Sequence, residues 1–145
     1  YVLMYCKNAS WHADLQQTNT DVLHELYRFF DEQIPVCYQS GMTQDQMIID
    51  PGMWAFISSD PKDSVRVLQS LSQIHLRYEL PMLVGTSRKW FLWALSSDAW
   101  PVDRIGSSLA SSLFASHKGA TYLRVHDVRY MRQMLDVWGA LHRSF

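Results

Sequence analysis

Four short apolar runs recur along the chain: YVLM at 1–4, QMIID at 46–50, PMLVG at 81–85 and TYLRV at 121–125, roughly 35 to 45 residues apart. Between them lie stretches whose apolar residues fall at three-and-four spacing, the mark of an amphipathic helix. Strands apolar on both sides and separated by helices are what parallel βαβ units require, because helices cover the sheet and each crossover needs that length of chain. The fold class is therefore α/β, built from parallel βα repeats. Four such units are too few to close an eight-stranded barrel and too regular for a segregated α+β layout. They make half a barrel, and residues 1–145 read as one domain.

The helical stretches are specific enough to place. The first starts near Asn19 to Asp21 and puts Val22, Leu23, Leu26, Phe29, Phe30, Ile34 and Cys37 on one face, with Gly41 as its stop and Pro35 expected to kink or shorten it. The second spans about Lys62 to Arg77 and carries Val65, Leu68, Leu71, Ile74 and His75 at three-and-four spacing. A short piece follows Arg88, and a longer one from Asp103 to His117 carries small residues suited to close packing on a sheet. The last, from Val128 to His142, is expected to be capped by Asp127, with Tyr130, Met131, Met134, Leu135 and Trp138 inward.

Composition excludes several functions. Net charge is −1, which offers no general attraction to nucleic acid or an anionic membrane. No apolar run approaches the ~20 residues needed to cross a bilayer, and no segment has the layout of a secretion signal. Cys6 and Cys37 form neither a disulfide framework nor a metal-type spacing, so a cytoplasmic setting with reduced thiols is expected. The chain opens in mid-strand, as though more chain precedes it.

In parallel α/β architectures, ligands bind at the carboxyl ends of the strands. Those ends carry the polar groups here: Asp50-Pro51-Gly52 after the second run, Gly85 to Lys89 (GTSRK) after the third, and Arg124 to Asp127 (RVHD) at the fourth. One rim would thus hold a carboxylate, two cations, and an arginine with a histidine. Singly, each has an ordinary reading: an Asp before Pro-Gly forms turns, Arg88 suits a structural helix start, and the rim pair could satisfy backbone carbonyls. His12, His24, His75, His117 and His142 read as surface residues, and Trp54, Trp90, Trp93, Trp100 and Trp138 as packing groups.

Taken together, MIIDPG, LVGTSRKWFL, RIGSSLASSLFASHKGATYLRVHDV and, upstream, FFDEQIPVCYQSGM resemble the C-terminal half of dihydropteroate synthase, in order and spacing, over nearly the whole chain. The resemblance implies a (β/α)8 TIM barrel that joins p-aminobenzoate to a pterin pyrophosphate and releases pyrophosphate in folate biosynthesis. It implies that Asp50, Lys89, Met4 and Gly85 bind the pterin. Ser87 and Lys89 would flank the aminobenzoate, and Arg124 and His126 would hold the pyrophosphate. It further implies a Mg2+ ion with no ligand in this chain, its ligand residues lying in a missing N-terminal half. That half would be a partner, and a homodimer would form through the later helices.

Two departures stand out. After DPG the chain reads MWAFIS where the family usually has a glycine-rich stretch, so Trp54 and Phe56 fall on glycine positions, unless Phe56 substitutes for the family's aromatic by a one-residue shift. Tyr5 stands where the family commonly has histidine. Beside an enzyme incomplete without its N-terminal half stand two other readings: a noncatalytic half-barrel interaction subunit, or an inactive truncated product.

Overall fold

The computed structural model describes residues 1–7, 21–97 and 100–142. Four strands form, β1 (Val2–Met4), β2 (Ile48–Asp50), β3 (Leu83–Val84) and β4 (Tyr122–Leu123), all parallel. β1 pairs with β2, putting Met4 opposite Asp50, and β3 pairs with β4. A bridge from Ile49 to Met82 joins the two pairs into the order β1-β2-β3-β4. Each strand is shorter than its apolar run. Arg124, inside the fourth apolar run, therefore lies beyond β4, as does His126, although Arg124 still donates its N–H to the Val84 carbonyl at 2.9 Å.

Because parallel partners share a face, register sorts the side chains. Leu3, Ile49, Met82 and Val84 point to one side and are buried, at 5% exposure or less. They meet Leu26, Phe30, Val67, Leu71, Ile74, Phe91 and Ala115 from the helices in one core. Val2, Ile48, Leu83 and Tyr122 share the other face, where Val2 and Tyr122 are exposed and Ile48 and Leu83 half-buried. A parallel sheet normally has both faces covered. Among the described residues, the helices cover one.

The helices are α1 (Val22–Gln39), α2 (Pro61–Gln69), α3 (Leu71–Tyr78), α4 (Trp90–Ser96), α5 (Ile105–His117) and α6 (Val128–His142). Asp21 caps α1 through the Leu23 N–H at 3.0 Å; Asn19 and His12 lie outside the described residues. Pro35 does not shorten α1. It stands on the exposed face, where the carbonyl deprived of its donor is beside water. The stretch expected as one helix from Lys62 to Arg77 is two, joined at Ser70, whose N–H bonds back to Arg66 and Val67. On α2, Val67 is fully buried while Val65 stays half-buried.

Helix α5 lies close to the sheet, as its small residues predict, with Ser108, Ser112 and Ala115 buried. On α6 only Met131 is buried; Tyr130, expected inward, is exposed. No helix among the described residues is long and apolar enough to cross a membrane.

Pro35→Ala restores a helical N–H on a solvent-facing turn and should stabilise the protein by about 1–3 kcal/mol, read from urea unfolding midpoints.

Candidate active site

The carboxyl ends of all four strands open into one cavity of about 630 Å³. All seven residues singled out at the rim line it: Met4, Asp50, Gly85, Ser87, Lys89, Arg124 and His126.

Asp50 ends β2 and is only 3% exposed. Its Oδ1 accepts the Gly52 N–H at 2.9 Å, a local turn that explains why Asp-Pro-Gly occurs here. Gly52 sits at φ +70, and a Cβ there would fall 2.5 Å from the Tyr5 carbonyl oxygen. That close approach lets the loop fold under β1. Oδ2 lies 3.7 Å from Nη1 of Arg124. Burial raises the Asp50 carboxyl above the ordinary range, opposed by the Gly52 N–H, Arg124 and Lys89.

Lys89 precedes α4 and faces the carboxylate. Burial lowers its ammonium, with Asp50 pulling the other way and Arg124 adding to the fall. The ammonium lies over the Phe56 ring, 5.1 Å from its centroid, a cation–π contact. The next loop is tied to this one. Ser87 Oγ accepts the His126 backbone N–H at 3.2 Å and sits 3.0 Å from Nδ1 of the same ring. The hydroxyl keeps both its proton and a second lone pair for Nδ1, so the ring's tautomer sets which of the two atoms donates.

The Gly85 backbone is not left-handed, and a Cβ there would lie 3.5 Å from Cβ of Arg124, an ordinary contact. Arg88, expected to be structural, forms a two-pronged pair with Asp127 at 3.0 and 2.6 Å. Asp127 therefore begins α6 with its carboxylate turned to Arg88, not to a helical amide. Its carbonyl accepts the Met131 N–H at 3.0 Å.

Several wall residues escaped sequence reading. Trp54 and Trp90, expected to pack, line the cavity. Trp54 adopts φ 56, the left-handed region that favours glycine, which matches its standing on a glycine position. Arg104, 5% exposed, lies on the same wall and donates to the Arg88 carbonyl at 2.9 Å. Nothing in the serine-rich segment around it signals a buried cation. Tyr5 is buried against Phe29, ring centres 5.4 Å apart, and burial pushes its hydroxyl up to about 12.

Among the described residues no three His, Cys, Asp or Glu side chains converge to hold a metal ion.

A buried acid, a half-buried lysine and an exposed arginine beside a histidine gather at the carboxyl end of a parallel sheet, the place where ligands bind in such folds. Residues 1–126 match the pterin binding enzyme family, and the chain belongs to it. Within that family it is similar to dihydropteroate synthases. It is 36% identical over 124 residues to dihydropteroate synthase type-2 of Escherichia coli, covering 86% of this chain and 45% of the relative. With type-3 from the same organism it shares 33% over 141 residues, 97% and 53% of the two chains. Among solved structures, dihydropteroate synthase of Xanthomonas albilineans with 4-aminobenzoic acid superposes with a TM-score of 0.87 at 32% identity, covering 99% of this chain and 50% of that one. The Stenotrophomonas maltophilia enzyme gives 0.92 at 28%, covering 99% and 53%. The chain spans about half the length of the relatives it matches.

Gly52→Ala should cost roughly 2–4 kcal/mol, measured by denaturant unfolding, since added carbon meets backbone at a left-handed position. A second expectation concerns pH. The folded protein holds the Asp50 proton more tightly than the unfolded chain does. This group's stabilising contribution is therefore greatest at low pH and declines as pH rises from the ordinary carboxylate range through the raised value. Asp50→Asn keeps an acceptor for the Gly52 N–H and removes the charge. Its melting temperature at neutral pH should equal or exceed the parent's, and that decline should vanish.

Proposed function

We propose that this chain is the C-terminal half of a dihydropteroate synthase barrel, condensing p-aminobenzoate with a 6-hydroxymethyl-7,8-dihydropterin pyrophosphate to give dihydropteroate and pyrophosphate in folate biosynthesis. The observation that carries the reading is the convergence of Asp50, Lys89, Ser87, Arg124 and His126 on one cavity. Asp50 accepts from the pterin's amino and ring N–H groups, and Lys89 donates to its carbonyl edge, with Met4 and Gly85 as walls. Ser87 and Lys89 flank the aminobenzoate. Arg124 and His126 take up the charge that develops on the departing pyrophosphate, which lowers the barrier to breaking the carbon–oxygen bond. Relatives bound to 4-aminobenzoic acid, to 7,8-dihydropteroate and to 6HMPPP support the assignment of substrates.

The uncovered sheet face supports the half-barrel. Val2, Ile48, Leu83 and Tyr122 lie where a closed barrel would have its interior, so an N-terminal half completes both the fold and the site. The groove between α5 and α6, lined by Leu109, Leu113, Tyr130, Met134, Val137 and Leu141, receives a second copy in this reading.

The alternative of a noncatalytic half-barrel draws on one observation: Phe56 covers the Lys89 ammonium and Trp54 narrows the same cavity. Calorimetry on the chain assembled with a complementary N-terminal half separates the two. Asp50→Ala or Lys89→Ala should each weaken pterin pyrophosphate by about thirtyfold or more, the cost of truncating one member of a buried charged set. An assembled barrel that ignores the pterin altogether supports the noncatalytic reading.

A further inference from the structure

Arg88 stands between Ser87 and Lys89 with a backbone that a non-glycine residue rarely adopts, φ 58. Three contacts hold it there. Its N–H donates to Ser108 Oγ of α5 at 2.9 Å, its carbonyl accepts from Arg104 at 2.9 Å, and its guanidinium grips Asp127 with two parallel bonds. The pair is only partly exposed, 26% for the Arg88 side chain and 16% for Asp127. A two-pronged arginine–carboxylate pair fixes direction as well as distance, which a lysine cannot do. Asp127 follows His126 directly and begins α6. The loop after β3 is thus joined to the loop after β4 at two adjacent points, Arg88 to Asp127 and Ser87 to His126.

We propose that Arg88 and Asp127 are positioning residues, a latch that sets the distance between the loop carrying Ser87 and Lys89 and the loop carrying Arg124 and His126. The inference rests on the reading of the cavity as a site for a pterin and its pyrophosphate. In that reading the two loops grip different parts of one ligand. Misplacing one against the other by about 1 Å costs affinity and rate even though every contacting group is still present. Neither latch residue needs to touch the ligand. Arg88 lines the cavity, but its polar edge is taken up by Asp127.

The test uses the 145-residue chain itself, as Asp127→Asn, Arg88→Met and the double variant. Two readouts are taken beside the melting temperature: long-range proton–nitrogen NMR of the His126 ring, identified by its loss in His126→Gln, and titration with inorganic pyrophosphate. Both single variants should shift the His126 Nδ1 resonance away from its hydrogen-bonded position, as the ring leaves Ser87. Both should bind pyrophosphate about tenfold more weakly or worse, and the double variant should lose no more than the weaker single, because an open latch cannot be opened twice. Arg88→Lys, which keeps the charge and loses the fork, should recover only part. A fall in melting temperature with the His126 spectrum and the pyrophosphate affinity unchanged would overturn the proposal, as would losses that add in the double variant. If the parent chain takes up no pyrophosphate, the titration is repeated on the chain assembled with a complementary N-terminal half, where absence of uptake overturns the ligand reading; the His126 spectrum decides the latch in either case. Should Asp127→Asn fail to fold, Asp127→Glu, one methylene longer, carries the same two readouts.

Discussion

Parallel pairing is the constraint from which the rest of this molecule follows. All four strands run the same way, so their carboxyl ends finish at one level and everything attached there shares one mouth. Because paired residues in a parallel ladder fall on the same face, Met4, Asp50, Gly85 and Arg124 come to one side while Leu3, Ile49, Met82 and Val84 go to the other. The apolar set drives the helices onto the sheet. The polar set is left facing a cavity, where burial makes the Asp50 carboxyl resist ionising and the Lys89 ammonium hold its proton less tightly, while the exposed Arg124 tempers the first effect and adds to the second.

Much of this was legible in the chain. Among the described residues the alternation of apolar runs and helical stripes located each strand and each α-helical stretch, with α2 and α3 read as one, because burial on both sides of a parallel strand and on one face of a helix writes two different periods. The rim residues were legible for a related reason: an Asp before Pro-Gly, and polar residues abruptly ending an apolar run, are what strand ends look like. The break at Ser70 was not, since Leu68, Leu71 and Ile74 keep helical spacing across it, and only the backbone bonds of Ser70 reveal the joint. The outward turn of Tyr130 was not either. The spacing on α6 describes an apolar stripe, and spacing cannot say how wide a stripe its neighbours will cover.

Within the site, the missed residues share a cause. Arg104 comes from the start of α5, and Trp54 from a loop whose shape follows from a backbone that tryptophan seldom adopts. Both reach the cavity through tertiary placement, which no local pattern records. Asp127 shows the converse. The local pattern of a capping residue was correctly located at the head of α6, but a longer-range partner, Arg88, outcompeted the helix's own amides for its carboxylate. Family resemblance named groups that line the cavity and was silent on what holds them in place.

The serine-rich face of α5 also does something its packing alone does not reveal. Ser108, Ser111 and Ser112 supply hydroxyls to Arg88 and Thr86, so the same small side chains that let the helix approach the sheet also anchor the loop after β3. The bulk of these side chains acts as a shim. Each methyl group added along that face would thicken the layer and carry the attached corner outward with it, so the width of the opening is calibrated by a helix that faces away from it.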